Sequence, residues 1–282
     1  MVKNEIIAIA LLACVASSCT HRMTWTGYPM DGHRTGVTAP NASNVTEALG
    51  TIENGVYTAP NGKVFTDGSI VSVAQDMIDA QPRMSALKEV IGYATREMDR
   101  HGADSELSNW IVDHLSEDVA KLTGKKIDVG IINSGGIRVD MPQGDIILDD
   151  IVSMFPFKNY LAYVALQGTD LQALFEHLAA THIQPLYGVK IKATEGKIDT
   201  LLVGGQPIDP DKIYGVATID FLLDGGDGIS VAKNCKELII TDCMVVESML
   251  PYVRQLTAEG KPVEYFTDGR IVEIRKERRP VE

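Results

Sequence analysis

The sequence predicts an α/β fold in which a mixed β-sheet is flanked by helices. Three observations carry this. Short apolar runs suited to buried strands alternate with stretches of helical periodicity. Hairpin-like strand pairs occur among longer crossovers, so the sheet mixes parallel and antiparallel neighbours. A chain of 282 residues with 45% hydrophobic and 23% charged residues also holds enough apolar material for a real core. The expected division is a leader over residues 1–18, a tether with a short hairpin over 19–70, and one α/β body over 71–282.

Taken in order, Met1 to Ser18 has the build of a secretory signal. Lys3 is followed by an apolar run from Ile6 to Ala16 and then by small residues, too short for a stable membrane span. Val15-Ala16-Ser17-Ser18-Cys19 resembles a bacterial lipobox, which implies cleavage before Cys19 and a lipid on it. The expected location is the bacterial cell envelope, as a membrane-anchored lipoprotein on the periplasmic side or at the outer membrane. Cys14 would leave with the leader, so Cys235 and Cys243 remain, either as a disulfide or as two buried thiols. Residues 20–70 are rich in Thr, Asn, Gly and Pro and bury little apolar surface. Their later part offers two short strands, Gly55-Val56-Tyr57 and Lys63-Val64-Phe65, around an Asn61-Gly62 turn.

The body begins with a helical pattern from Met84 to Asp99. Ser105 is the expected N-cap of a second helix, with Leu107, Ile111, Leu115 and Val119 on one face and Gly124 at its end. Ile127–Ile132 reads as a buried strand, Asp149–Phe155 as a short helix and Leu161–Gln167 as a strand. Thr169 is expected to cap a helix through Ala180. A hairpin follows, Val189–Lys192 with Ile198–Val203 around Glu195-Gly196, then a strand over Ile213–Ile219. Thr241 is expected to cap a helix to about Leu256, and Arg270–Ile274 closes as a strand.

A formal net charge of −12 opposes a phosphate backbone, so nucleic acid is not an expected partner. Two strands, however, end in glycine-containing loops that carry polar residues. Asn133-Ser134-Gly135-Gly136-Ile137-Arg138 follows one, and Phe221 with Gly225-Gly226-Asp227-Gly228 follows another. Phe155-Pro156-Phe157-Lys158-Asn159 lies between them in sequence. Glycine lets a ligand approach the backbone closely, so such loops suit a small molecule. Neither has the pattern of a dinucleotide loop or a P-loop.

The order and spacing of these segments resemble the C-terminal, substrate-binding domain of the 5'-nucleotidase family. The likeness runs from about Ser85 to Ile274 and includes Glu106-Leu107-Ser108-Asn109, Gly144-Asp145-Ile146 and Leu166-Gln167-Gly168-Thr169-Asp170-Leu171. The resemblance implies that Phe157 and Phe221 sandwich a nucleobase and that Asp227 holds the ribose hydroxyls. It further implies that Arg138 meets substrate phosphate and that Asn133 and Asn159 contact the base or its surroundings. Arg96 and Arg100 correspond to arginines that contribute further substrate contacts. Physics agrees with these residue types. Aromatic faces stack on any base for about 1–3 kcal/mol, a carboxylate accepts two hydrogen bonds from a cis diol, and a guanidinium matches phosphate bidentately.

The resemblance has a large gap. The family's metallophosphatase ligand set, including a Gly-Asn-His segment, is not found in this sequence, and His177 and His182 are five apart, off a common helical face. No cofactor is therefore expected on this chain, and a divalent metal pair is expected on a partner metallophosphatase. The functional expectation is the nucleotide- or nucleoside-binding domain of a 5'-nucleotidase-type phosphohydrolase acting in nucleotide catabolism. The alternatives are a non-catalytic lipoprotein that captures or senses nucleotides, and a scaffold that has lost its ligand.

Overall fold

In the computed structural model, residue 40 and residues 43–275 are described, and internal contacts divide the chain between Ile78 and Asp79. The leader, Cys19 and the early tether lie outside the described residues. The first unit opens with a short helix, α1 (Val45–Leu49), and a three-stranded meander of β1 (Thr51–Glu53), β2 (Val56–Thr58) and β3 (Val64–Phe65). The β2–β3 hairpin has the expected strands, with Tyr57 opposite Phe65 and their rings stacked at 5.9 Å. A second hairpin, not read from the sequence, turns at Asn54-Gly55. These residues take φ of 50° and 79°, the left-handed pair that a tight hairpin turn demands. Helix α2 (Ser69–Met84) then crosses the division between the units.

The segment expected to be helical from Met84 to Asp99 is not a helix. Beyond α2 lies one 3₁₀ turn, Ser85–Lys88, and then a strand, β4 (Val90–Ala94). Ile91, Ala94 and Met98 are all buried, so the apolar periodicity marks the right residues but the wrong backbone. What decides is pairing with residues far along the chain. β4 runs antiparallel to β6 (Gly144–Ile147), and Met98 exchanges backbone hydrogen bonds with Met141 at 3.1 and 3.0 Å. Val, Ile and Tyr side chains suit such a half-buried strand.

Helix α3 (Glu106–Thr123) starts and stops where its residues predict. The Ser105 hydroxyl accepts from the Ser108 N–H at 3.1 Å, the Ser108 hydroxyl returns the bond, and Gly124 ends the helix at φ 67°. Leu107, Ile111, Leu115 and Val119 are buried, as is Trp110. β5 (Val129–Ile131) is fully buried, and α4 (Leu148–Met154) leads through Phe155 into β7 (Tyr160–Gln167). In β7 every residue from Leu161 to Leu166 is buried, so both faces of the strand are covered. α3 and α5 (Gly168–Ala180) are the helices packed on it. Thr169 is not the cap of α5. The helix begins one residue earlier, after Gln167, without a side-chain cap.

After β8 (Leu186–Tyr187), β9 (Val189–Thr194) pairs with β10 (Lys197–Val203), with Glu195 and Gly196 both at positive φ in the expected turn. β11 spans Ile213–Ile219, as the sequence predicts. Thr241 does not start a helix. It lies within β12 (Glu237–Met244), at a register shift between Ile240 and Met244, where its hydroxyl donates to Leu161 O at 2.9 Å and accepts from Cys243 N at 3.2 Å. Helix α6 (Val245–Ala258) follows, and β13 (Ile271–Ile274) is the last strand among the described residues. Cys235 and Cys243 carry free thiols.

The main sheet has the order β12-β7-β11-β5-β8. β11 runs parallel to β5 and antiparallel to β7, β7 is antiparallel to β12, and β8 is antiparallel to β5. A second sheet has the order β10-β9-β13, with β13 parallel to β9. The predicted mixed α/β architecture is the one observed.

Candidate functional site

The strand directions assemble the site. Because β5 and β11 are parallel neighbours, the loops leaving their C-terminal ends emerge side by side, and these carry Asn133–Arg138 and Phe221–Gly228. β7 is antiparallel to β11, with Leu161 opposite Ile219, so the segment entering β7, Phe157 to Asn159, arrives at the same edge. Asn133, Gly135, Arg138, Phe157, Asn159, Phe221 and Asp227 line one cleft of about 250 Å³. An apolar recess beneath shares Asn133, Phe157 and Asn159 and is floored by Ile111, Ile137 and Phe155.

Each side chain is held by a local device. Phe155 is buried and anchors the end of α4, whereas Phe157, beyond Pro156 and a bend, stands 47% exposed. Phe221 sits on a 3₁₀ turn after β11 and is 43% exposed. The preceding Asp220 accepts from Tyr160 N at 3.0 Å, which joins this turn to the start of β7. Val245 N donates to Asn159 O at 3.0 Å, fixing the other end of that entry segment. The Arg138 guanidinium lies 5.8 Å from the centre of the Phe157 ring, donates to Gly135 O at 3.0 Å and is otherwise open to solvent.

Asn133 links the two glycine loops. Its Nδ2 donates to Asp227 Oδ2 at 2.9 Å, and Asp227 is exposed at the cleft. The Oδ1 of Asn133 is buried and has no hydrogen-bond partner among the described residues. A Cβ on Gly136 would lie 2.7 Å from that oxygen, so only glycine leaves Asn133 in place. Gly226 is constrained more severely, because a Cβ there would meet the Phe221 carbonyl oxygen at 1.9 Å. Ser134 N donates to the buried Gln184 Oε1 at 2.9 Å and fixes the first loop from behind.

A family model described as 5'-nucleotidase, C-terminal domain, matches residues 89–234, which span all of these loops. This chain belongs to that family. Among curated relatives, the Silent protein UshA(0) of Salmonella typhimurium is 30% identical over 141 residues, covering 48% of this chain and 26% of the relative. A 5'-nucleotidase of Vibrio cholerae is 28% identical over 118 residues, 39% of this chain and 21% of the relative. The chain thus spans about a quarter of the length of the curated relatives it matches. Among solved structures, a 5'-nucleotidase precursor from Thermus thermophilus superposes with a TM-score of 0.64 at 22% identity, covering 79% of this chain and 49% of that one. Haemophilus influenzae NAD nucleotidase superposes at 0.55 with 18% identity, covering 79% of this chain and 48% of that one. At these identities the structural likeness carries the fold.

Within this 5'-nucleotidase C-terminal domain, Arg96 and Arg100 do not line the cleft. Arg96 pairs with Glu106 at 3.1 Å, donates to Tyr265 O and lies 4.4 Å over the Phe266 ring. Arg100 donates to Ile137 O at 3.2 Å and sits 3.5 Å from Asp140, behind the Arg138 loop. Gln184 and Asp220 are supports that sequence reasoning missed, since single polar residues beside strands carry no pattern. Among the described residues, Asp99, His101 and Asp140 bring three metal-capable atoms within 4.8 Å of one another. Asp99 and His101 are exposed, and the Arg100 cation already neutralises Asp140. This donor set does not fit the pair of divalent ions that two-metal phosphate-ester hydrolysis needs.

Proposed function

We propose that the cleft binds a nucleoside or nucleotide and that the chain supplies substrate recognition to a 5'-nucleotidase-type phosphohydrolase in nucleotide catabolism. The observation that carries this reading is the meeting of Phe157, Phe221, Asp227 and Arg138 in one cleft. Two half-exposed aromatic faces suit a base of any identity. The free oxygen of Asp227 suits a ribose hydroxyl, because Asn133 already holds the other. Arg138, open to solvent beside Phe157, suits a phosphate that projects from the cleft. Binding energy from base and ribose then orients the phosphate ester for chemistry performed elsewhere.

The metal pair, in this reading, resides on a separate metallophosphatase, and a lipid on Cys19 holds this chain at the envelope. Calorimetric titration with adenosine, AMP, ADP and UDP-glucose tests the binding reading. Binding of adenosine, and tighter binding of AMP, is expected, and failure of all four ligands refutes it. The purified chain should release no phosphate from AMP with manganese present, and release should appear once the metallophosphatase is added. Hydrolysis by the chain alone would overturn the division of labour. Mass spectrometry of the membrane fraction should find a lipidated Cys19 at the new N-terminus, and an unmodified soluble chain beginning at Met1 would exclude the anchor.

A further inference from the structure

Asp227 sits in a backbone conformation that needs support. Its φ of 51° and ψ of 26° are left-handed, in a loop where Gly225 and Gly228 also take positive φ. Few residues with a side chain adopt this conformation, Asp among them, so contacts that fix the loop help to set where the carboxylate points. The loop's own bonds, Gly225 N to Ile229 O at 2.8 Å, Gly228 N to Gly225 O at 3.0 Å and Ile229 N to Gly226 O at 2.9 Å, close it upon itself. They do not tie its tip to the body. On the cleft side that task falls to Asn133.

On the opposite side it falls to His177. The Nε2 of His177 donates to Gly228 O at 2.9 Å from the last turn of α5. That helix is rigidly seated, with Leu171, Leu174, Phe175 and Leu178 in the core. The imidazole itself is exposed and belongs to no core cluster, so packing does not explain it. Beside it a second cavity of about 290 Å³ lies between α5 and the segment that follows the glycine loop, bordered by Asp170, Ser230, Lys233 and Asn234. His177 and Gly228 both border this cavity, so the hydrogen bond between them crosses its rim. Since the carbonyl only accepts, Nε2 must carry a proton, as it does in the imidazolium and in one neutral tautomer.

We infer that His177 is a positioning residue of the ribose subsite, holding Gly228 so that Asp227, one residue before it, keeps its carboxylate aimed into the cleft. The inference rests on the nucleoside reading above and adds to it a residue that touches no ligand. Removing one such hydrogen bond predicts a three- to tenfold loss in affinity, about the range of a single neutral bond. The loss should be confined to ligands with ribose hydroxyls.

The test uses the full chain with His177→Leu, His177→Ala and His177→Gln. Glutamine presents an amide donor near the original Nε2. Calorimetry with adenosine and 2',3'-dideoxyadenosine is combined with hydrogen exchange of the Gly225–Ile229 amides in ligand-free protein. The Leu and Ala variants should bind adenosine about three- to tenfold more weakly, bind the dideoxy analogue within about twofold of wild type, and exchange faster in the loop. Gln should restore both readouts. Unchanged exchange and affinity in a folded Leu or Ala variant overturns the inference and leaves the nucleoside reading standing. Equal losses for both ligands overturn it as well, because the effect would then not be on ribose. A wild-type protein that binds no adenosine removes the reading and the inference together.

Discussion

Replacing the two cleft phenylalanines separates a base clamp from a pair of loop anchors. Phe157 is 47% exposed and Phe221 43%, so truncating either opens no core cavity, and the stability change should stay within about 0.5 kcal/mol of zero. Their effect on binding should be much larger. Stacking contributes about 1–3 kcal/mol per base, so Phe157→Ala and Phe221→Ala should each weaken adenosine binding by about five- to 150-fold. The two variants should then differ with AMP. The Arg138 guanidinium lies 5.8 Å over the Phe157 ring, a contact of about 0.5–1 kcal/mol at an exposed site. Losing that ring frees Arg138, whose other tie is the bond to Gly135 O at 3.0 Å. Phe157→Ala should therefore weaken AMP about two- to fivefold more than adenosine, by the same energies converted to affinities. Phe221→Ala should weaken both equally. Circular dichroism first establishes folding, and isothermal calorimetry then gives the affinities. Wild-type affinity in both folded variants would refute the base site. An extra AMP penalty in Phe221→Ala as well would refute the coupling through Arg138.

Two predictions concern the scaffold. Arg270 grips Asp113 through Nη1 at 2.5 Å and Nη2 at 2.9 Å, with side chains only 11% and 15% exposed, while the Tyr265 hydroxyl donates to the same carboxylate at 2.5 Å. Arg270→Met strands that carboxylate and should cost about 3–5 kcal/mol in urea denaturation. A loss below about 1 kcal/mol would mean that water replaces the guanidinium freely. His114 stacks on Tyr252 with centroids 3.8 Å apart, and its Nε2 lies 3.2 Å from Ser248 Oγ, which donates to Asp118 at 2.6 Å. Burial pushes this imidazole below its ordinary value of 6.5, and the neighbouring Asp118 carboxylate pulls it only part of the way back. The unfolded chain is then the first to take up the proton as pH falls. The stability that His114 contributes is complete above about pH 6.5 and is lost as pH drops through the lowered folded value. His114→Phe should flatten the dependence of the urea midpoint on pH below that point, and an unchanged slope would refute the assignment.

Features set by a few neighbouring residues were legible in the sequence. Ser105 and Gly124 bound α3 because a hydroxyl at one end and a left-handed glycine at the other satisfy backbone groups within a single turn. Glu195-Gly196 predicts its hairpin for the same local reason, and Ile213–Ile219 is apolar enough to be a central strand of the sheet wherever it pairs. The three loop motifs could likewise be singled out from glycine and aromatic placement. Local signals failed where a distant partner set the backbone. The periodicity through Ile91, Ala94 and Met98 suits a helix, yet β6 and Met141 hold that stretch extended, and Thr241 resembles a cap but serves a bulge against β7.

The sequence by itself determined the α/β class, both ends of α3 and the residue types of the site, because propensity, capping and turn chemistry act over a few residues. Tertiary structure alone decided that β5 and β11 run parallel beside β7, and hence that Asn133, Phe157 and Phe221 share one cleft. It also turned Arg96 and Arg100 toward other partners and placed His177 behind the Asp227 loop. Strand pairing and side-chain contacts across the fold draw their energy from residues far apart in the chain, and no local pattern encodes which of them will meet.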